Sequence, residues 1–207
     1  MAEQTVVNAR DEILAAVKAG RRAEPAPARY ALPTWTIDPV GQFAARARAT
    51  AADVHEIARV DDAPEAIWSI LTKKNAARSV HIPEVSEASA LPWQRAPGLS
   101  VMRERPSGSD SAVSFANFGI AETGTLVFCS GERSPSAWHY LPGLEFVVMR
   151  RALILPRLET VIDTLAERGS IPATVNLVTG PSRTADIEQT IERGAHGPRE
   201  LCILIAG

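Results

Sequence analysis

Near-continuous apolar, β-branched runs alternate with segments of helical period along the C-terminal half of the chain, and this alternation constrains the fold more than any other feature. Glu145–Arg150, Ala173–Val178 and Leu201–Ile205 read as strands. Arg157–Arg168 carries Leu158, Val161, Ile162 and Leu165 at helical spacing, and Asp186–Arg193 reads as a second helix. Strands that are apolar throughout and separated by helices belong to a parallel sheet covered on both faces, because crossovers are right-handed and place the helices outside. The expectation is an α/β fold with an open, mainly parallel sheet and helices on both faces.

The N-terminal half is consistent with this frame. Ile13, Leu14 and Val17 space a short amphipathic helix over Ala9–Lys18, with Asp11 and Glu12 in its first turn. Ala23–Pro39 contains four prolines and reads as an extended arm. Phe43–Val54 is helical, His55–Val60 a strand, and Pro64–Asn75 a helix with Ile67, Ile70 and Leu71 on one face. Ser79–Pro83 and Leu99–Arg103 are short strands, and Ala112–Phe128 reads as strand, turn, strand. The expected organisation is a helix and arm over 1–42 and one α/β domain over 43–207.

Composition narrows the function. Twenty-two Lys and Arg stand against 24 Asp and Glu, so no bulk charge attracts a nucleic acid or an anionic lipid surface. No apolar stretch approaches the roughly 20 residues of a membrane span, and the first ten residues lack a signal pattern, so the expectation is a cytoplasmic protein. Cys129 and Cys202 lie far apart without CxxC spacing, and no HxH or HxxxH pair suggests a metal. The expectation is that this chain binds no metal or cofactor of its own.

Ligands of open parallel sheets collect beyond the carboxyl ends of the strands. Two segments follow that rule. In Thr179–Asp186, Gly180 permits a tight turn, Ser182, Thr184 or Asp186 can cap the following helix, and Arg183 adds a charge. Together they suit an anion or small carboxylate, the alternative being an ordinary capped turn. In Gly194–Arg199, His196 lies between glycines with Gly197 and Arg199 near it, and it suits proton transfer or anion binding. Convergence of Arg183, Ser182–Thr184 and His196 on one cleft is expected. A third candidate is the turn Ala121–Thr125, where Glu122 is a possible nucleophile or general base, with Thr123 and Gly124 beside it. His55 and His81 read as structural strand residues, and Trp138-His139-Tyr140 as packing.

IAETGTLVF (Ile120–Phe128), Leu141-Pro142 before the apolar run to Val148, TGPSRTADIE (Thr179–Glu188) and GAHGPREL (Gly194–Leu201) occur in an order that resembles the LUD-domain family, in particular its LutC-like lactate-utilisation proteins. The pattern differs at Glu145, where the family segment after the Leu-Pro pair often carries a histidine. The resemblance implies a fold like that of ribose-5-phosphate isomerase, glucosamine-6-phosphate deaminase and CoA transferases. It also implies a place in a three-protein system that oxidises L-lactate to pyruvate, with iron–sulfur clusters in the partner proteins and not in this chain. A CoA-transferase-like or ligase-like enzyme acting through Glu122, by itself or as a homodimer, and a non-catalytic carboxylate-binding subunit are the alternatives.

Tyr30, Leu32, Trp35 and Ile37 would give a free arm an apolar stripe, so the arm is expected to cover the domain or a partner. Deleting residues 1–40 should therefore lower the melting temperature or weaken partner binding. A truncated chain unchanged in both would reduce the arm to a tether.

Overall fold

The computed structural model describes residues 9–20, 38–131, 136–168, 172–185, 191–193 and 197–207. The chain divides into two compact units, Met1–Trp35 and Thr36–Gly207. In the first, α1 (Ala9–Gly20) is the expected amphipathic helix. The second begins ahead of the expected boundary at 43 because Pro39–Ala49 forms one helix, α2, whose start is fixed by the Asp38 carboxylate accepting from the backbone N–H of Val40 and Gly41. Residues 21–37, which hold most of the arm, lie outside the described residues.

The second unit is built on a six-stranded, wholly parallel sheet. Its strands are β1 (Asp53–Ile57), β2 (Ser79–His81), β3 (Ser100–Met102), β4 (Ser111–Phe115), β7 (Leu144–Arg150) and β12 (Glu200–Ala206), in the order β1-β12-β7-β4-β2-β3. The mainly parallel α/β architecture expected from the alternating runs is present. A second sheet was not expected: β5 (Phe118–Ile120), β6 (Thr125–Cys129), β8 (Ile154–Leu155) and β9 (Val175–Val178) pair in the order β8-β5-β6-β9. Here β9 runs antiparallel to β6, so the strand expected over Ala173–Val178 belongs to this sheet and not to the parallel one.

Side-chain alternation along β7 shows how the layers stack. Phe146 and Val148 point to one face, where they join Leu204 of β12 and meet Ile67 and Leu71 of α3 (Ala63–Lys73). Val147 and Met149 point to the other, where they join Ile203 and Ile205 and meet Leu126 and Phe128 of the small sheet and Phe43 and Ala47 of α2. The far face of the small sheet, with Phe118, Ile120 and Val127, is covered by Val161 and Leu165 of α4 (Leu158–Glu167). Among the described residues no helix is long and apolar enough to cross a membrane.

The helix expected over Asp186–Arg193 is corrected at Ile191–Arg193, and its residues 186–190 lie outside the described residues. Arg183–Ala185 (β10) and Ile191–Arg193 (β11) form an antiparallel ladder, with Arg183 opposite Arg193 and Ala185 opposite Ile191. The Ser, Thr and Asp that suggested a helix cap serve turns equally well, and β-branched Thr184 and Ile191 suit a ladder. The strand expected over His55–Val60 begins earlier, at Asp53, because β1 is registered on β12 from Asp53 opposite Cys202.

Two motif glycines are explained by packing. Gly124 has φ +69° and Gly180 φ +79°, and each is pressed against the end of α2: a Cβ on Gly124 would strike the backbone at Ala47, and one on Gly180 the carbonyl of Thr50. Gly124→Ala should combine left-handed strain with a backbone clash and lower stability by about 2 kcal/mol or more, read from urea unfolding.

Candidate active site

A carboxylate inside a strand of apolar residues requires partners, since a buried unpaired charge is too costly to survive folding. Glu145, the second residue of β7, is fully buried, on the face that carries Val147 and Met149. It lies opposite Ala112 of β4, and Ser114 follows two residues along on the same face. The Ser114 hydroxyl donates to Glu145 Oε1 at 2.6 Å. His139 Nδ1 lies 2.8 Å from the same oxygen, while Glu145 Oε2 is buried without a hydrogen-bond partner.

His139 belongs to a short 3-10 turn, Ser136–His139, just ahead of β7. Its ring is almost completely buried and stacks on Phe128 of β6 at 3.9 Å between centroids with 28° between planes. One Glu145 carboxyl oxygen thus meets a serine hydroxyl and an imidazole nitrogen, and this contact fixes the orientation of the ring. A carboxylate that fixes the orientation of a histidine is an arrangement used for proton transfer.

His139 is also the wall shared by two cavities. One, of about 440 Å³, runs along β4 past Ser114 and Phe115 to Asn117, Cys129 and Trp138. The other, of about 580 Å³, is bounded by Thr50, Tyr140, Thr179, Gly180, Ser182 and Arg183, with Gly197 and Pro198 closing it. Exposed Arg183 supplies a guanidinium suited to a carboxylate, and Thr179 and Thr50 supply hydroxyls. Thr179 Oγ1 lies 2.7 Å from Thr125 Oγ1, which lies 2.6 Å from Thr123 Oγ1, so a chain of hydroxyls links the turn after β5 to the wall of this cavity.

The structure brings part of the expected site together. The Ser182 backbone N–H donates to Pro198 O at 2.9 Å, so the segments around 180 and 197 meet, and Gly180, Ser182, Arg183 and Gly197 line one cavity. The helix cap expected from Ser182 or Thr184 is not formed, because Arg183–Ala185 is a strand. Thr184 is the middle residue of that strand, whereas Asp186 and His196 lie outside the described residues. Glu122 and Thr123 are exposed on the turn between β5 and β6. Glu122 donates its backbone N–H to Pro156 O and borders neither cavity around His139, and Gly124 is the packing glycine described above. Arg199 points away toward the loop before β4, where its guanidinium donates to Gly108 O. His81 is held as expected by a structural contact, Nδ1 lying 2.8 Å from Glu104 O.

Neither His139, expected to serve in packing, nor Glu145, noted only as a departure from the family pattern, is among the site residues expected from the sequence. The signal available was Glu145 itself, the one acid in LEFVVMR, a run otherwise apolar up to its closing arginine. At the amino ends of β1 and β12 a different set of groups meets. Lys74 Nζ donates to Glu200 Oε2 at 2.7 Å, and this bond holds the ammonium above its ordinary value against the effect of desolvation. Burial, reinforced by Asp53 and Glu200 against the opposing pull of Lys74, pushes the Cys202 thiol up to about 12.

A parallel α/β sheet backed by a smaller mixed sheet, with a carboxyl–histidine pair between them, defines a two-sheet α/β class of domain. The model of the LUD domain matches residues 40–206, and the chain belongs to that family. A crystal structure of a DUF162 family protein from Deinococcus radiodurans shares the fold, with a TM-score of 0.62 at 21% identity over 84% of this chain and 100% of that one. Lactate utilization protein C of Halalkalibacterium halodurans is 29% identical over 117 residues, 55% of this chain and 50% of the relative. Its namesake in Geobacillus kaustophilus is 30% identical over 97 residues, 45% of this chain and 40% of the relative. The chain spans about half the length, or less, of these curated relatives.

Removing the Ser114 hydroxyl leaves the buried Glu145 with one donor fewer. Ser114→Ala should cost about 1.5–3 kcal/mol, the range for a hydrogen bond to a charged group, measured by chemical denaturation.

Proposed function

We propose that this chain acts in lactate utilisation, as one member of a three-protein system that oxidises L-lactate to pyruvate, and that it holds a small 2-hydroxy carboxylate beside His139. Membership of the LUD family and similarity to proteins named for lactate utilisation support the process. The observation that carries the site is the buried Ser114–Glu145–His139 network at the wall between two cavities, one of which also presents Arg183.

Oxidation of lactate breaks the O–H and C–H bonds at C2, forms the C=O bond of pyruvate, and releases two electrons and two protons. Iron–sulfur clusters in the partner proteins are the expected acceptors of the electrons, since two distant cysteines cannot hold a cluster in this chain. The share assigned to this chain is acid–base and electrostatic. Arg183 pairs with the substrate carboxylate, and the His139 imidazole accepts the C2 hydroxyl proton, while the proton from C2 is released to solvent as the two electrons pass to the acceptors in the partner proteins. Glu145 stabilises the imidazolium that forms. The reading that makes Glu122 a thioester-forming nucleophile gains no support from its exposed place on a turn away from both cavities.

The test is lactate-dependent dye reduction by the purified chain alone and mixed with its iron–sulfur partners. Activity is expected only in the mixture. His139→Gln should lower it by about 10²–10⁴-fold, the usual contribution of a general base. Exposed Arg183→Gln should chiefly raise the KM for lactate with the fold intact. Full activity without this chain, or wild-type rates in both variants, would refute the assignment.

A further inference from the structure

The register of the parallel sheet places three different donor types at one point. Asp53 of β1 lies opposite Cys202 of β12, and His55 follows Asp53 by two residues, hence on the same face of its strand. One donor atom from each of the three, a carboxylate oxygen, an imidazole nitrogen and a sulfur, lies within 4.8 Å of both others. The residues are 149 positions apart at the extremes, by 202 − 53, which is why no spacing in the sequence suggested them.

The contact between His55 and Asp53 is informative in its direction. His55 Nε2 sits 2.9 Å from Asp53 Oδ1, yet that nitrogen is buried and makes no hydrogen bond. A histidine and a carboxylate that simply paired would align the N–H on the oxygen. The unaligned contact leaves this nitrogen without a hydrogen-bond partner beside a carboxylate oxygen. Cys202, fully buried in the next strand, supplies the third donor.

The geometry points to a divalent transition-metal site formed by Asp53, His55 and Cys202. Thiolate, imidazole and carboxylate together suit zinc, whereas an all-oxygen set would suit magnesium or calcium. Tetrahedral zinc with bonds of about 2.0–2.3 Å sets its donors about 3.3–3.8 Å apart, so binding requires the 2.9 Å His55–Asp53 contact to open by about half an ångström and donors as far apart as 4.8 Å to close by about one. Asp53 and Cys202 both border a cavity of about 230 Å³ that also holds Lys74, Arg183, Arg199 and Glu200, so the fourth coordination position opens on a space large enough for water or a small anion. Lys74, which borders the same cavity, is paired with Glu200, and the Cys202 thiol gives up its proton to solvent when the ion binds, so that thiolate and carboxylate balance the charge of the ion.

The site is independent of the lactate reading, and its test uses no enzymatic assay. The purified full-length chain, stripped with chelator, is titrated with Zn²⁺ by equilibrium dialysis and with Co²⁺ by absorption spectroscopy. One ion per chain and a thiolate-to-cobalt charge-transfer band are expected. Cys202→Ser should abolish the band and Cys129→Ser should leave it unchanged. Because Cys202 is in the core, Asp53→Asn and His55→Gln at partly exposed positions provide folded variants, checked by circular dichroism. Each should weaken Zn²⁺ binding by at least the ~10–100-fold that loss of an outer-shell partner alone costs. Substoichiometric binding, a thiolate band that survives Cys202→Ser, or undiminished affinity in both Asp53→Asn and His55→Gln would overturn the site.

Discussion

Burial of β7 and β12 on both faces is the constraint on which the rest of the structure depends. Phe146, Val147, Val148 and Met149 of β7, with Cys202 to Ile205 of β12, are almost wholly removed from water, and they alternate between the α3 layer and the small-sheet layer. Each such side chain contributes about 1.5–3 kcal/mol by leaving water, and a register slip of one residue would exchange the two faces. A polar group on these strands survives only if the neighbouring elements answer it. At Glu145 they do so with Ser114 from the adjacent strand and His139 from the turn before it, and the site is therefore a consequence of how the core closes.

The end of α2 plays a similar organising part for the loops. Gly124 and Gly180 both press against it, one from the AETG turn and one from the TGPSR turn. The hydroxyls of Thr125 and Thr179 join the same two segments at 2.7 Å. Motif residues that look like ligand-binding chemistry in the sequence thus act first as a seat for a helix. Only with that seat in place do Thr179 to Arg183 face His139 across a cavity. Packing and function are carried by neighbouring residues of one motif, which is why the motif alone does not separate them.

Much of the architecture was legible because it depends on local period. The helical face of Ile67, Ile70 and Leu71 is buried as its spacing required, Val161 and Leu165 are buried while Leu158 and Ile162, expected beside them, are exposed, and the apolar runs at 145–150 and 201–205 are central strands. Local signals misled where competing structures share their chemistry. Caps and turns both use Ser, Thr and Asp, and so the segment leading to Ile191–Arg193 read as helical although Arg183–Ala185 and Ile191–Arg193 form a ladder. The second sheet escaped notice because an antiparallel strand such as Val175–Val178 and a parallel one carry the same apolar residues, and only pairing partners distinguish them.

By itself the sequence determined the α/β class, the positions of most elements and the family, since periodicity and ordered motifs are properties of short stretches of chain. Tertiary structure alone decided which polar residues meet. His139 and Glu145 are six positions apart, but nothing local shows that they share an oxygen with Ser114, 31 residues from Glu145. Asp53 and Cys202 meet only because β1 and β12 are neighbours in a sheet whose order departs from chain order. A hydrogen bond or a ligand set acts over about 3 Å, and strand order, which the whole core fixes, determines which side chains come within that distance.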